Sequence, residues 1–179
     1  GLPASAAAKN ENIPNDSYTY WSDDGSRYLS GSRAMYEVKG AYTGSDMGVS
    51  PLSEPADIAA DDNGMLYILD SSNSRIVITD KNLVKKGEIK SFGGKSFTGA
   101  KGITVSGGYI YVADTENQRV LAGDINGSLK AELSCPDNEI IPDDFVFRPM
   151  QLTVDKNGYI YVMSDGSFYG ALVFAPDGS

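Results

Sequence analysis

Short apolar runs alternate with short polar turns along residues 50–179. Polar residues separate the run from Ile58 to Ala60 from the run from Leu66 to Leu69, and a third run, Ile76 to Ile78, follows another polar break. The runs are too short for helices and show no helical period, so the pattern predicts β-strands joined by tight turns. Several runs, such as Ile110 to Ala113, are apolar at consecutive positions, which predicts small sheets covered on both faces.

This pattern recurs three times, in residues 55–70, 101–114 and 150–165. Each copy contains an apolar run, a glycine-containing turn and a second apolar run. The second runs carry equivalent tyrosines at intervals of 44 and 50 residues: Tyr67, Tyr111 and Tyr161. A period of this length is typical of the blades of a β-propeller.

The turn inside each copy carries glycine where a hairpin requires a positive φ. The three turns are Asn63-Gly64, Gly107-Gly108 and Asn157-Gly158. These dipeptides allow positive φ at both central positions of a type I′ turn, whose twist suits a two-residue hairpin. We therefore expect three type I′ hairpins.

Further polar breaks and apolar runs complete units of four short antiparallel strands. We place the repeats at about 53–92, 98–134 and 146–179. The stretch from Cys135 to Asp144, which contains proline and several acidic residues, is predicted to be an inserted loop before the third repeat.

The end of each tyrosine-containing run resembles the NHL repeat of β-propellers. Gly64 to Asp70 is followed by Asn73-Ser74-Arg75-Ile76, and Gly108 to Asp114 is followed by Asn117-Gln118-Arg119-Val120. The third copy keeps Gly158 to Asp165 but lacks the Asn-x-Arg element. This resemblance, over about residues 50–179, implies an all-β fold, a β-propeller of four-stranded antiparallel blades.

Three repeats are fewer than a closed propeller ring needs. Closed propellers have about four to eight blades, whereas this chain has three repeats. An open arc exposes a blade face and strand edges to water. We expect a partial propeller that is a fragment of a longer protein, or one completed by oligomerisation.

Composition excludes several classes of function. The chain has no histidine, one cysteine and a formal net charge of -9. A serine–histidine or cysteine–histidine nucleophile is excluded, and the negative charge disfavours binding to nucleic acid or to anionic lipid. We predict no catalytic residues, no cofactor and no metal site, and we interpret Cys135 as a small loop residue in preference to a reactive thiol.

The N-terminus is consistent with export. Ala4-Ser5-Ala6 fits the A-x-A form of a signal-peptidase site. Residues 1–16 are predicted to be a flexible terminus, either the remnant of a signal peptide or an ordinary tail, and residues 17–179 to be the partial propeller. The stretch from Ala34 to Gly48 resembles the lead-in of exported NHL-repeat proteins of Gram-positive bacteria, which are linked with carbohydrate uptake. The expected location is extracellular or at the cell surface.

Two groups of candidate residues stand out. Asp70 with Arg75, and Asp114 with Arg119, recur in two repeats, which favours structural pairing between strands or blades over ligand binding. The candidate ligand-binding residues are the aromatic side chains outside the repeat pattern and an arginine at the entrance to the third repeat: Tyr18, Tyr20, Trp21 and Arg148. Packing over the open edge of the first blade is the favoured alternative for the aromatic residues, and ordinary solvation is the favoured alternative for Arg148. Asp155-Lys156-Asn157-Gly158 lacks the spacing of an EF-hand loop, so hairpin chemistry is favoured over calcium binding there.

The predicted function is a non-enzymatic binding or scaffold module of an exported bacterial protein, which recognises a glycan or protein partner. An alternative is part of a lactonase- or lyase-like propeller enzyme, whose channel metal site would be completed by missing blades. A third interpretation is a purely structural repeat assembly, in which the chain associates with copies of itself.

Overall fold

The computed structural model describes residues 17–21, 23–31, 40–137, 139, 141–166 and 170–176. The chain divides into two units, residues 1–41 and 42–179. In the first unit, β1 (Ser17–Trp21) pairs antiparallel with β2 (Arg27–Gly31). Residues 17–41, which were predicted to belong to the partial propeller, fall in the first unit. The predicted tail 1–16, with Ala4-Ser5-Ala6, lies outside the described residues.

Within its described residues, the second unit contains three stacked antiparallel sheets and one small hairpin. Sheet 1 has the order β3-β4-β5-β6: Pro55–Ala60, Leu66–Asp70, Arg75–Thr79 and Lys85–Ile89. The hairpin pairs β7 with β8: Ser91–Phe92 and Lys95–Ser96. Sheet 2 has the order β9-β10-β11-β12: Gly102–Ser106, Tyr109–Asp114, Arg119–Gly123 and Leu129–Leu133. Sheet 3 has the order β13-β14-β15: Arg148–Val154, Ile160–Asp165 and Ala171–Phe174.

This topology confirms the predicted all-β fold of antiparallel blades. Sheets 1 and 2 are complete four-stranded blades, sheet 3 has three strands, and the arc is not closed. Between β4 and β5, and between β10 and β11, lies one turn of 3-10 helix: Ser71–Asn73 and Thr115–Asn117. No strand lies between β12 and β13, where Cys135 to Asp144 was predicted to be a loop, within the part of that segment that the structure describes.

Two apolar cores hold the sheets face to face. The first joins one face of sheet 1 to sheet 2 and includes Leu69, Ile78, Phe92 and Ile110. The second joins the other face of sheet 2 to sheet 3 and includes Tyr111 and other apolar residues. β5 is therefore buried at all five positions and β10 at five of six, as consecutive apolar residues predicted.

The prediction of three type I′ hairpins is correct for one turn and wrong for two. Gly107 and Gly108 both have positive φ, at 58° and 80°. Asn63 and Asn157 do not have positive φ, because an aspartate two residues earlier closes a longer loop. The Asp61 carboxylate accepts the backbone N–H groups of Asn63 and Met65, both at 2.9 Å, so only Gly64 needs the left-handed conformation. Asp155 closes the third turn in the same way.

The register of sheet 3 corrects the alignment of the third repeat. Pro55 pairs with Asp70 in sheet 1, and Pro149 pairs with Ser164 in sheet 3. Ser164 is therefore the counterpart of Asp70, the aspartate that ends the NHL signature, and Asp165 lies one residue beyond that position. The segment from Gly158 to Asp165 is one residue longer than Gly64 to Asp70 and Gly108 to Asp114. Because of this extra residue, the sequence motif pointed to Asp165 instead of Ser164.

Candidate functional site

A buried charge cluster forms where β4 turns into β5. Asp70 and Arg75 face each other across the strand pair, and Arg75 Nε donates to Asp70 Oδ2 at 2.7 Å. The other carboxylate oxygen accepts the backbone N–H of Ser53 at 2.7 Å, and Asn73 donates to Asp70 Oδ2 at 2.9 Å. Asp70 is fully buried, so these donors replace the water that its charge has lost.

The same cluster recurs in sheet 2. Arg119 Nε donates to Asp114 Oδ2 at 2.8 Å, Asn117 donates to the same oxygen at 2.9 Å, and Thr98 N donates to Asp114 Oδ1 at 2.6 Å. Arg119 also pairs with Glu132 at 3.0 Å. In both sheets the aspartate thus joins the 3-10 turn with its Asn-x-Arg element to the segment that enters the sheet.

A hydroxyl next to each cluster links neighbouring sheets. Ser71 Oγ donates to the carbonyl of Ala100 at 2.7 Å, and Thr115 Oγ1 donates to the carbonyl of Pro149 at 2.6 Å. Both donors are buried. The four recurrent charged residues and the two hydroxyls are thus engaged inside the protein, where they stabilise the blades.

Arg148 lies at the first position of β13, and its side chain reaches back towards sheet 2. One guanidinium nitrogen donates to Glu116 at 2.8 Å. The side chain of Arg148 is 41% exposed, so solvent screens this pair. Tyr18, Tyr20 and Trp21 lie on β1, and their side chains are outside the described part of the structure.

Burial and local hydrogen bonds shift the pKa values of several groups in the second unit. Burial raises the pKa of Tyr67, with a further contribution from the nearby Asp61 carboxylate. A hydrogen bond from Lys95 holds the pKa of Glu132 below its ordinary value. Burial raises the pKa of Cys135, which lowers its thiolate fraction. Among the described residues, no group of three His, Cys, Asp or Glu side chains could hold a metal ion.

An apolar groove on the outer face of sheet 1 was not anticipated from the sequence. Met47, in the segment that leads into β3, packs against Ile68 and Val77. Beside this contact lies a groove of about 520 Å³, whose lining includes Tyr42 and Ile58, both 56% exposed. The apolar residues of the lead-in were the available signal, but their position on the sheet depends on the tertiary structure.

The outer face of sheet 3 is a second exposed apolar surface. It consists of Tyr161, Met163, Ala171 and Val173, on paired positions of β14 and β15. Met163 is 53% exposed and Val173 is 51% exposed. The alternation of buried and exposed residues along β14 contrasts with the continuous burial of β10. No described helix is long and apolar enough to cross a membrane.

Comparison with known families agrees with the repeat assignment. The sequence profile of the NHL repeat matches residues 52–78 and 97–122, which contain the two charge clusters. The chain contains NHL repeats. The matched NHL repeats do not include the third repeat, in which Ser164 replaces the signature aspartate. No curated protein sequence matched the chain.

Solved structures with a similar fold include hydrazine synthase of Kuenenia stuttgartiensis, which is 18% identical, with a TM-score of 0.54 over 78% of this chain and 36% of that chain. The WD40 β-propeller domain of Doa1 is 17% identical, with a TM-score of 0.49 over 83% of this chain and 44% of that one. Virginiamycin B lyase from Staphylococcus aureus is 12% identical, with a TM-score of 0.45 over 91% of this chain and 50% of that one. The NHL-repeat chain therefore spans half the length of these solved chains or less.

Proposed function

We propose that this NHL-repeat chain is a binding or scaffold module of an exported bacterial protein, and that it recognises a protein or glycan partner. The observation that carries the proposal is the contrast between its charged and its apolar residues. The recurrent aspartates and arginines bond to one another and to the backbone, whereas apolar side chains remain exposed on the outer faces of sheets 1 and 3. Exposed apolar patches of this kind are typical of interaction sites.

The proposal is tested by immobilising the chain and measuring binding to purified cell-wall glycans and to purified cell-surface proteins. We expect at least one ligand to bind, and Ile58→Glu or Met163→Glu to weaken that binding at least tenfold. Ile125→Glu, at a turn residue of similar exposure, is the matched control and should have no effect. Absence of binding to every ligand, or binding that both face variants leave intact, would refute the proposal.

The enzyme alternative makes a different prediction. A channel metal site would give a stoichiometric divalent ion in the purified protein, which elemental analysis measures. A bound ion together with lactone hydrolysis or lyase activity would replace the binding proposal with a catalytic one.

A further inference from the structure

A small pocket lies between sheets 1 and 2, at the end of the sheets where their hairpin turns meet. Its volume is about 130 Å³, and it is bounded by the β3–β4, β9–β10 and β11–β12 turns. The turn residues that line it include Asp61, Asp62, Gly107, Gly108 and Ile125. Its inner wall includes two buried strand residues, Tyr67 and Ile110. The pocket shares no residue with the apolar groove on the outer face of sheet 1.

The pocket exists because the β9–β10 turn is shorter than its counterparts. Only Gly107 and Gly108 connect β9 to β10, whereas residues 61–65 connect β3 to β4 and residues 155–159 connect β13 to β14. A Cβ atom at either glycine would meet no other atom within 4 Å. The short turn therefore leaves room beside the longer β3–β4 turn.

The pocket carries negative charge, and no lysine or arginine is among its described lining residues. Asp61 Oδ1 accepts the two backbone N–H groups that close the turn, whereas Asp61 Oδ2 accepts the hydroxyl of Tyr67 at 3.3 Å. Asp62 is exposed and has no ion-pair partner among the described residues. By contrast, Asp80, in the other turn at this end of sheet 1, pairs with Lys86 at 3.0 Å. The two carboxylates at the pocket thus remain able to accept a cation.

The residue after the turn aspartate differs between the turns at the pocket and the turns away from it. In the four turns that an aspartate closes, this residue is Asp62, Lys81, Ile125 or Lys156. The two lysines belong to the β5–β6 and β13–β14 turns, which do not line the pocket. Ile125 is 51% exposed in an otherwise polar turn. A carboxylate and an apolar side chain therefore stand at the pocket where the other two turns carry a cation.

From this pocket we infer that the junction of sheets 1 and 2 binds a primary alkylammonium group, either of a free amine or of a lysine side chain. The ammonium group donates to the carboxylates of Asp61 and Asp62, and the alkyl chain lies against Ile110 and Ile125. A cavity of about 150 Å³ holds a molecule of the size of benzene, so this pocket accepts about five non-hydrogen atoms. The inference goes beyond the proposed function, because the pocket is separate from the exposed outer faces.

An NMR titration with n-butylammonium at neutral pH tests the site directly. We expect saturable chemical-shift changes at the backbone N–H groups of Asn63, Gly107 and Gly108. The neutral alcohol 1-butanol has the same number of non-hydrogen atoms and should bind at least tenfold more weakly, because it lacks the charge. Nα-acetyl-lysine methylamide distinguishes the two sources. Saturation at the same residues identifies a lysine side chain as able to enter, whereas binding of n-butylammonium alone identifies a free amine.

The charge of Asp61 can be removed without loss of its turn. Asp61→Asn retains a side-chain oxygen for the backbone N–H groups of the turn, and it should weaken n-butylammonium binding at least tenfold. Asp155→Asn is the matched control, because Asp155 closes the equivalent turn of sheet 3 and lies near an equivalent tyrosine hydroxyl, but does not line the pocket. The control should bind n-butylammonium as the wild-type protein does.

A second variant introduces the lysine of the other turns. Asp62→Lys places an ammonium group of the chain itself at the pocket and should abolish n-butylammonium binding. Asp144→Lys makes the same change of charge at an exposed loop position and should leave the affinity unchanged.

Three results would overturn the inference: no saturable shift with n-butylammonium, equal affinity for 1-butanol, or wild-type affinity in folded Asp61→Asn and Asp62→Lys proteins. Displacement of n-butylammonium by an equal concentration of calcium chloride would also overturn it, because the site would then select an inorganic cation. The titration involves neither outer face, so its failure is distinct from failure of the proposed binding function.

Discussion

Sheets 1 and 2 differ from sheet 3 in the residue at one repeat position, which is Asp70 in sheet 1, Asp114 in sheet 2 and Ser164 in sheet 3. In the first two sheets, a buried aspartate accepts hydrogen bonds from an arginine, an asparagine and a backbone N–H. In sheet 3, Ser164 occupies that position, and its hydroxyl accepts the backbone N–H of Arg148 at 2.8 Å and donates to the carbonyl of Asp165 at 3.1 Å. The bond to the entering segment survives without the charge cluster, so the cluster's additional contribution is to anchor the Asn-x-Arg turn.

The largest difference should appear when the signature side chain is removed. Asp70→Ala removes the buried carboxylate that Arg75, Asn73 and the Ser53 N–H share, and we expect it to lower the free energy of unfolding by about 3–5 kcal/mol. Ser164→Ala loses two neutral hydrogen bonds, to the Arg148 N–H and to the Asp165 carbonyl, on a half-buried side chain and should cost about 1 kcal/mol. Urea denaturation measures both changes, with Asp62→Ala as an exposed control. Equal losses for Asp70→Ala and Ser164→Ala would contradict the distinction between the sheets.

A second comparison concerns the faces of the sheets. Leu69 and Met163 are equivalent positions, but Leu69 is fully buried and Met163 is 53% exposed. Leu69→Ala should cost about 3 kcal/mol because it opens a cavity between sheets 1 and 2. Met163→Ala should change the stability by less than about 0.5 kcal/mol. Chemical denaturation of the isolated chain decides this point, and a large loss for Met163→Ala would mean that its face is covered in solution.

The hydroxyl link between sheets should have a smaller effect. Thr115→Val keeps the shape of the side chain but leaves the buried carbonyl of Pro149 without its donor, so we expect a loss of about 1–2 kcal/mol. Thr98→Val is the control, because Thr98 is exposed and bonds to Asp114 through its backbone. Hydrogen exchange of β13 should increase in Thr115→Val alone, and unchanged exchange would argue that the link is dispensable.

The smallest expected effect is on the stability of the fold at low pH. Lys95 and Arg119 hold the pKa of Glu132 below its ordinary value, so this carboxylate stabilises the fold above about pH 4–5. The contribution is lost as the pH falls through the lowered folded-state pKa. Glu132→Gln should reduce the loss of stability between neutral pH and pH 3 by about 0.2–1 kcal/mol, typical of a surface pair. Thermal unfolding of both proteins across that range is the measurement, and identical pH profiles would exclude this role.

Much of the fold could be predicted from residues close together in the chain. The recurrence of Tyr67, Tyr111 and Tyr161 predicted the blades, and the Asn-x-Arg elements predicted the NHL family. Two of the three hairpin types were wrong, because Asp61 and Asp155 close their turns through carboxylate bonds that the Asn-Gly dipeptides do not reveal. The candidate surfaces on sheets 1 and 3 could not be predicted, since exposure depends on which face another sheet covers.

The sequence by itself determined the strands, the four-stranded units of sheets 1 and 2 and the repeat family, because apolar periodicity and turn chemistry act over a few residues. Only the tertiary structure decided that the recurrent charges lie inside the blades and that Ser164, not Asp165, continues the signature. It also decided which apolar faces remain exposed. The physical reason is that strand register and sheet stacking bring together residues that are far apart in the chain. Which side chains are buried depends on these long-range contacts rather than on any local pattern.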